Sequence, residues 1–258
     1  MSGDTRDMSL AMKVAIVTGG GGGIGFAVAQ RLAADGARVV IAELDEKAGS
    51  EAWRRLDAAG TSSTFVRTDI SDEHSTQALA QAVVEKFGAV DILINNAALF
   101  ATVKMKPIED ISVAEWDRVM EVNLRGLFLM VKAVLPQMKR QRRGKIVNIS
   151  SNTVYSGGPS LSHYVTSKAG VIGFTRSLAR EAGPYGICAN AVAPGLTDTA
   201  AALQTIPAQR FETVAGLRSI GKRQSPIDLV GVISFLCSPD SDFITGQTIN
   251  VDGGQIFL

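Results

Sequence analysis

Tyr164 and Lys168 stand four positions apart in Tyr164-Val165-Thr166-Ser167-Lys168. On a helix that spacing puts both side chains on one face, so the ammonium lies near the ring. A free phenol titrates near pH ~10, too high for ready proton exchange at neutrality. A neighbouring positive charge favours phenolate, and a lowering of ~2–3 pH units would suit general acid–base work. The pair is predicted to move a proton on and off an oxygen. By itself the same spacing also suits a solvent-exposed Tyr and Lys on an amphipathic helix.

A second stretch with chemistry in it lies near the start. Residues 14–17 are apolar and are followed by Thr18, five consecutive glycines at 19–23, and Ile24-Gly25. A strand, a glycine turn and a helix start are what a pyrophosphate needs: glycines admit the anion to the backbone, and the helix N-terminus offers free N–H groups. Gly20, Gly22 and Gly25 satisfy G-x-G-x-x-G, and Gly19, Gly23 and Gly25 a looser G-x-x-x-G-x-G. The next strand ends at Glu43, eighteen residues past Gly25. An acid there accepts hydrogen bonds from both ribose hydroxyls of NAD and repels the 2′-phosphate of NADP. No Arg or Lys lies in the glycine loop or directly after Glu43, so NAD is the predicted cofactor. Asp69-Ile70 ends a third strand. Asp69 can bond an adenine amino group or cap the helix that starts at Ser71-Asp72-Glu73, and both roles stay open.

The elements that must position these groups follow from periodicity. Short runs rich in Val and Ile, at 13–17, 38–42, 64–67, 91–94, 145–149 and 187–192, read as strands buried on both faces. Between them lie helical stripes, such as Ile24, Val28 and Leu32, or Leu79, Val83 and Phe87. Alternation of this kind predicts an α/β fold: a single doubly wound (Rossmann) parallel sheet with helices on both faces. Residues 1–10 are expected to be a flexible leader and 11–258 one domain. Residues 195–225 are irregular and predict a mobile excursion of functional type.

Composition excludes several classes. The 258 residues carry 26 Lys and Arg against 25 Asp and Glu, and 46% are hydrophobic. The balance argues against nucleic acid as a partner, and no run reaches the ~20 apolar residues of a membrane span. Without a signal-peptide pattern, the cytoplasm is the expected location. Cys188 and Cys237 sit in apolar surroundings and are expected to be buried packing thiols. With only His74 and His163 in the chain, no Cys/His metal site is expected.

Thr18-Gly19 with Gly23 and Gly25, Asn95-Asn96-Ala97-Ala98, Asn123, Ser151, Tyr164, Lys168 and Pro194-Gly195 fall in order along the chain. Together they resemble the short-chain dehydrogenase/reductase family, from about Lys13 to Gly254. The resemblance implies catalytic roles for Asn123, Ser151, Tyr164 and Lys168. Ser151, thirteen residues before Tyr164, would orient the substrate oxygen, and that spacing favours it over the adjacent Ser150. Lys168 would also bond the nicotinamide ribose, and Asn123 would hold a water linking Lys168 to solvent, or else only bend its helix. Contacts to the cofactor are implied for Gly19, Gly23, Ile24, Gly25, Glu43, Asp69, Ile70, Asn95, Ala97, Tyr164, Lys168, Pro194, Gly195, Thr197 and Thr199. Ala98 departs from the usual Gly and could narrow the site by one methyl. Pro194–Thr199 matches the segment that folds over the nicotinamide, which makes 195–225 the expected substrate lid. Residues 243–254 resemble the last strand and tail of the family, which pack between subunits, so a homotetramer is implied.

The reaction these residues imply is hydride transfer between NAD(H) and an alcohol or ketone. Leu99, Phe100, Asn152, Thr153, Val154, Tyr155 and His163, with residues 203–217, form a mostly neutral candidate pocket. That favours an uncharged or aromatic secondary alcohol. Arg210 and Arg218 are read as a solvated lid face or as exceptions to that neutrality. Asn152–Tyr155 and residues 170–176 also resemble bacterial aryl-alcohol and pyridoxal dehydrogenases. Alternatives are a reductase of 3-oxoacyl thioesters on acyl carrier protein and a non-catalytic dinucleotide sensor on the same fold.

Overall fold

Residues 10–100 and 102–257 are described by the computed structural model. The chain runs β1 (Val14–Thr18), α1 (Gly23–Ala34), β2 (Arg38–Glu43), α2 (Glu46–Ala58), β3 (Ser63–Arg67), α3 (Glu73–Phe87) and β4 (Ile92–Asn95). It continues through α4 (Val113–Met120), a π-helical turn (Glu121–Arg125), α5 (Gly126–Gln141), β5 (Gly144–Ile149), α6 (Thr153–Ser156) and α7 (Ser162–Ala182). Last come β6 (Ile187–Pro194), α8 (Ala200–Thr205), α9 (Ala208–Gly216), α10 (Ile227–Cys237) and β7 (Thr248–Val251).

The strands form one seven-stranded sheet in the order β3-β2-β1-β4-β5-β6-β7. Every pairing is parallel, as the alternation of runs and stripes predicts. Neighbouring residues on a strand point to opposite faces. Thus Ala15 and Val17 join the core under α1, α2 and α10, whereas Val14 and Ile16 join the core under α3, α5 and α7. The chain leaves β1 toward β3 and then returns to β4 on the other side of β1. The carboxyl ends of β1 and β4 therefore flank the point where strand order reverses, the usual place for a ligand in such sheets.

Three expectations meet a different structure. Of the expected leader, 1–9 lie outside the described residues, and Leu10 is fully buried in the core with its N–H bonded to the Asp35 carbonyl. The irregular stretch 195–225 contains two helices. Pro207 precedes α9, which buries Phe211, Val214 and Ala215, a stripe too short to stand out among polar neighbours. Arg210 is exposed, but Arg218 is 6% exposed. Its guanidinium donates to the carbonyls of Leu196 at 2.7 Å and Lys222 at 3.0 Å, so it fastens the excursion to itself. Cys188 and Cys237 are free and buried, and burial pushes the Cys237 thiol up to about 12.

Candidate active site

At the end of β1 the Thr18 hydroxyl donates to the Ile94 carbonyl at 3.1 Å. It accepts from the N–H groups of Asn96 at 3.0 Å and Ala97 at 3.1 Å. Asn96 returns its amide to the Thr18 and Gly19 carbonyls at 3.0 and 3.1 Å. The glycine loop is thus stitched to the end of β4 by Asn96, part of the quoted motif but not among the residues expected at the cofactor. Asn95 donates instead to Asn148 at 2.9 Å, and Asn148 to Thr175 at 2.9 Å. Strand alternation is the signal that separates the two asparagines, because only one of them can face the loop.

The loop has the shape a pyrophosphate requires. Gly19 and Gly23 adopt positive φ, +61° and +52°, where a side chain is strained. A Cβ on Gly25 would lie 2.2 Å from the Gly19 carbonyl oxygen. Gly22 caps α1 with no side-chain bond, and the first turn holds no acid, so its N–H groups remain available to an anion. Ile24 follows within that turn and is partly buried against the core. Thr199, from the segment after β6, reaches over the same loop: its Cγ2 is 3.2 Å from where a Gly23 Cβ would sit. It also caps α8 by accepting from Ala202 N–H at 3.1 Å. This cradle fits a dinucleotide pyrophosphate.

Glu43, at the end of β2, accepts from the Gly21 N–H at 3.1 Å and from the Leu44 and Asp45 N–H groups at 2.8 and 3.2 Å. Its carboxylate is therefore fixed against the glycine loop. The two readings of Asp69 separate. Asp72 is the cap of α3, accepting from His74 N–H at 3.0 Å. Asp69 accepts from the Ser71 N–H and hydroxyl at 2.9 and 2.6 Å. The Ser71 hydroxyl bond is the main cause that lowers its pKa. Ile70 is buried and packs on Gly126, where a Cβ would meet it at 2.8 Å.

Ser151, Tyr164, Lys168 and Asn123 are 8%, 7%, 4% and 2% exposed. Ser151 follows β5, two strands from β1 in the sheet. Tyr164 and Lys168 lie on α7, with the Lys168 Nζ 5.8 Å from the Tyr164 ring centre. That ammonium donates to the Ile149 carbonyl at 2.9 Å. The two adjacent serines are bonded differently. Ser150 donates its hydroxyl to the Lys168 carbonyl at 2.8 Å, a structural tie between β5 and α7. Ser151 accepts from the Thr153 N–H and hydroxyl at 3.2 and 2.9 Å, and its hydroxyl is the side chain that favours the ionised Tyr164 phenol.

The expected lowering of the Tyr164 pKa is not what the protein's own groups produce. Burial pushes the phenol up to about 12, and the Ser151 hydroxyl only opposes that rise. Burial also brings Lys168 down to about 8. Desolvation disfavours the charged form of each group.

Asn123 sits in the π-helical turn, a feature that recurs at functional sites. Its Oδ1 accepts from Leu99 N–H at 2.7 Å, and its Nδ2 donates to the Leu99 carbonyl and the Ser167 hydroxyl at 3.1 and 3.2 Å. The side chain makes no hydrogen bond to Lys168; it ties the segment after β4 to α7. Asn152, expected in the pocket, is also committed elsewhere, donating to Asp252 at 3.2 Å and Gln255 at 3.1 Å. His163 is buried, with Nδ1 unpartnered.

At the end of β6, Pro194 accepts from Asn152 N–H at 2.9 Å, and Gly195 donates to Val251 at 3.1 Å. A Cβ on Gly195 would press on Asp252 and Arg218 at 3.0 Å each. Thr197 is buried, donates its hydroxyl to the Gly195 carbonyl at 3.0 Å and pairs in parallel with Gln224. The excursion thus starts and ends at one place, beside the tail.

Comparison with known proteins places this geometry in context. A family model described as "Enoyl-(Acyl carrier protein) reductase" matches residues 19–255. The 3-oxoacyl-[acyl-carrier-protein] reductase of Vibrio cholerae is 36% identical over 97% of this chain and 100% of its own. Galactitol 2-dehydrogenase of Agrobacterium fabrum is 39% identical over 96% of this chain and 99% of its own. The crystal structure of levodione reductase superposes with a TM-score of 0.90 at 32% identity, covering 95% of this chain and 98% of that one.

Proposed function

Because the chain belongs to the short-chain dehydrogenase/reductase family, and so is an oxidoreductase of CH–OH groups, we propose that it transfers a hydride between NAD(H) and an uncharged or aromatic secondary alcohol or its ketone. The observation that carries the reading is the buried group Ser151, Tyr164 and Lys168 at the carboxyl end of β5, two strands from the glycine loop. Gly19, Gly23, Ile24 and Gly25 would cradle the pyrophosphate with Thr199, and Glu43 would take the adenosine ribose. Asp69 and Ile70 would border the adenine. Asn95, Ala97, Pro194, Gly195 and Thr197 would line the nicotinamide half beside Tyr164 and Lys168. A nicotinamide bound there supplies or accepts the hydride.

The protein's part is acid–base work and positioning. In reduction the Tyr164 phenol donates its proton to the carbonyl oxygen, and in oxidation its phenolate takes the alcohol proton. Ser151 donates a hydrogen bond to the same oxygen and steadies the charge that develops on it. Lys168, protonated at neutrality, lends positive charge beside the ring. Asn123 keeps the segment after β4 docked on α7. Thr153, Val154 and Tyr155 lie two to four residues after Ser151 and remain partly exposed, which suits a neutral pocket under the lid 195–225.

NAD over NADP rests on Glu43, whose carboxylate is anchored by three N–H groups at the loop. A homotetramer is the proposed assembly, supported by the fully exposed Phe243 and the exposed Phe257 near the tail. Among the described residues no helix is long and apolar enough to cross a membrane, and the cytoplasm is the proposed location. The Vibrio cholerae relative favours a second reading, reduction of a 3-oxoacyl thioester; the acid at Glu43 weighs against the phosphorylated cofactor.

An absorbance screen of NAD⁺ reduction tests the proposal against aryl, cyclic and aliphatic secondary alcohols, with a 3-oxoacyl thioester and NADH run in reverse. Turnover of neutral secondary alcohols supports it. Turnover confined to the thioester supports the second reading. Tight NADH binding without turnover of anything would favour a dinucleotide sensor.

A further inference from the structure

Phe100 stands against the catalytic phenol. The ring centres of Phe100 and Tyr164 are 5.2 Å apart with planes inclined at 49°, the tilted contact that aromatic pairs favour. Phe100 is only partly buried, whereas Tyr164 beneath it is buried. The exposed part of Phe100 thus lies on a residue whose ring packs on the buried Tyr164 ring.

The backbone under that ring is held unusually well for a loop. Asn123 accepts from the N–H of Leu99 and donates to its carbonyl, so both polar groups of the residue before Phe100 are fixed. The Phe100 carbonyl accepts from Val103 N–H at 3.0 Å. Asn123 donates to the Ser167 hydroxyl, which donates at 2.7 Å to the Tyr164 carbonyl. The contacts close a circuit: Tyr164 ring, Phe100, Leu99, Asn123, Ser167, Tyr164 backbone. The loop and the catalytic helix therefore hold one geometry, and the free part of the Phe100 ring is a preset apolar surface.

We propose that Phe100 is a specificity-determining residue that packs its free surface against a flat aryl substituent on the carbonyl carbon while Tyr164 and Ser151 hold the oxygen. The proposal rests on the oxidoreductase reading above and names the substituent that the site selects. Pockets for small molecules commonly gain discrimination from a rigid aromatic wall with a few polar groups that fix orientation. Loss of such a wall changes selectivity by about ten- to a hundredfold.

The test is NADH-driven reduction of acetophenone and of 2-butanone by the parent chain, Phe100→Ala and Phe100→Leu, with thermal midpoint and NADH binding measured in parallel. Phe100→Ala is expected to lower the ratio of kcat/KM for acetophenone over 2-butanone about tenfold, chiefly through KM. Phe100→Leu, which keeps bulk but not the ring, is expected to fall between. An unchanged ratio, with both ketones losing equally, would mean that Phe100 only supports Tyr164 and would overturn the proposal. A parent chain that reduces alkyl ketones and no aryl ketone would also overturn it, while the oxidoreductase reading stands. A parent chain that binds NADH and reduces no ketone would overturn that reading as well.

Discussion

The Lys168 ammonium lies 5.8 Å from the centre of the Tyr164 ring while donating to the Ile149 carbonyl at 2.9 Å. The lysine is thus held by β5 and faces the phenol from the side of its own helix. Both groups are buried, and burial moves their pKa values apart, Tyr164 up to about 12 and Lys168 down to about 8. The protein alone keeps the phenol protonated at neutrality, ready to act as an acid. A positive nicotinamide ring in the site would favour phenolate, which ties proton abstraction to the oxidised cofactor.

Stability should carry the mark of Lys168. Its pKa is about 8 in the folded chain against an ordinary 10.5. Between these values the unfolded chain binds the extra proton, so folding stability rises with pH from about 8 to 10.5. Lys168→Met should remove that rise. Thermal midpoints of parent and variant between pH 7 and 10 check it: the parent should gain on the variant as pH passes 8. Parallel curves would contradict the depressed pKa.

Cofactor choice should follow Glu43. The parent chain is expected to bind NADH at least about tenfold more tightly than NADPH, one opposed charge at close range being worth about 1 kcal/mol or more. Glu43→Gln should narrow the gap by removing the repulsion. Fluorescence titration with both cofactors measures it, and equal dissociation constants in the parent would contradict the assignment.

Gly25 should not tolerate a side chain. An added Cβ would meet the Gly19 carbonyl oxygen at 2.2 Å and Asn96 Nδ2 at 2.6 Å. Gly25→Ala is expected to lower the thermal midpoint, by about 1–3 kcal/mol of overpacking, and to raise the NADH dissociation constant more than tenfold. Gly22→Ala, with nothing within 4 Å of its Cβ, should keep the parent midpoint. Equal midpoints for all three chains would contradict the packed loop.

The sheet and the order of the site were legible because parallel strands buried on both faces leave near-continuous Val and Ile runs. The glycine loop was legible because backbone geometry demands one residue type there. What escaped depends on partners brought from afar. Arg218 reads as a surface arginine until the carbonyls of Leu196 and Lys222 close around it. Asn96 reads like Asn95 until strand alternation assigns each a face. How Ser150 and Ser151 are each bonded, and that Asp69 does not cap α3, needed the positions of α7 and α3 to show. The Tyr164 shift was expected with the opposite sign because a sequence displays charge and conceals desolvation.

The most direct test of Tyr164 as the proton carrier is Tyr164→Phe, which removes one hydroxyl and keeps the ring. With a neutral secondary alcohol that the parent oxidises, kcat is expected to fall by about 10²–10⁴-fold while the NADH dissociation constant stays at the parent value. A variant that binds NADH normally and keeps the parent kcat would contradict the account.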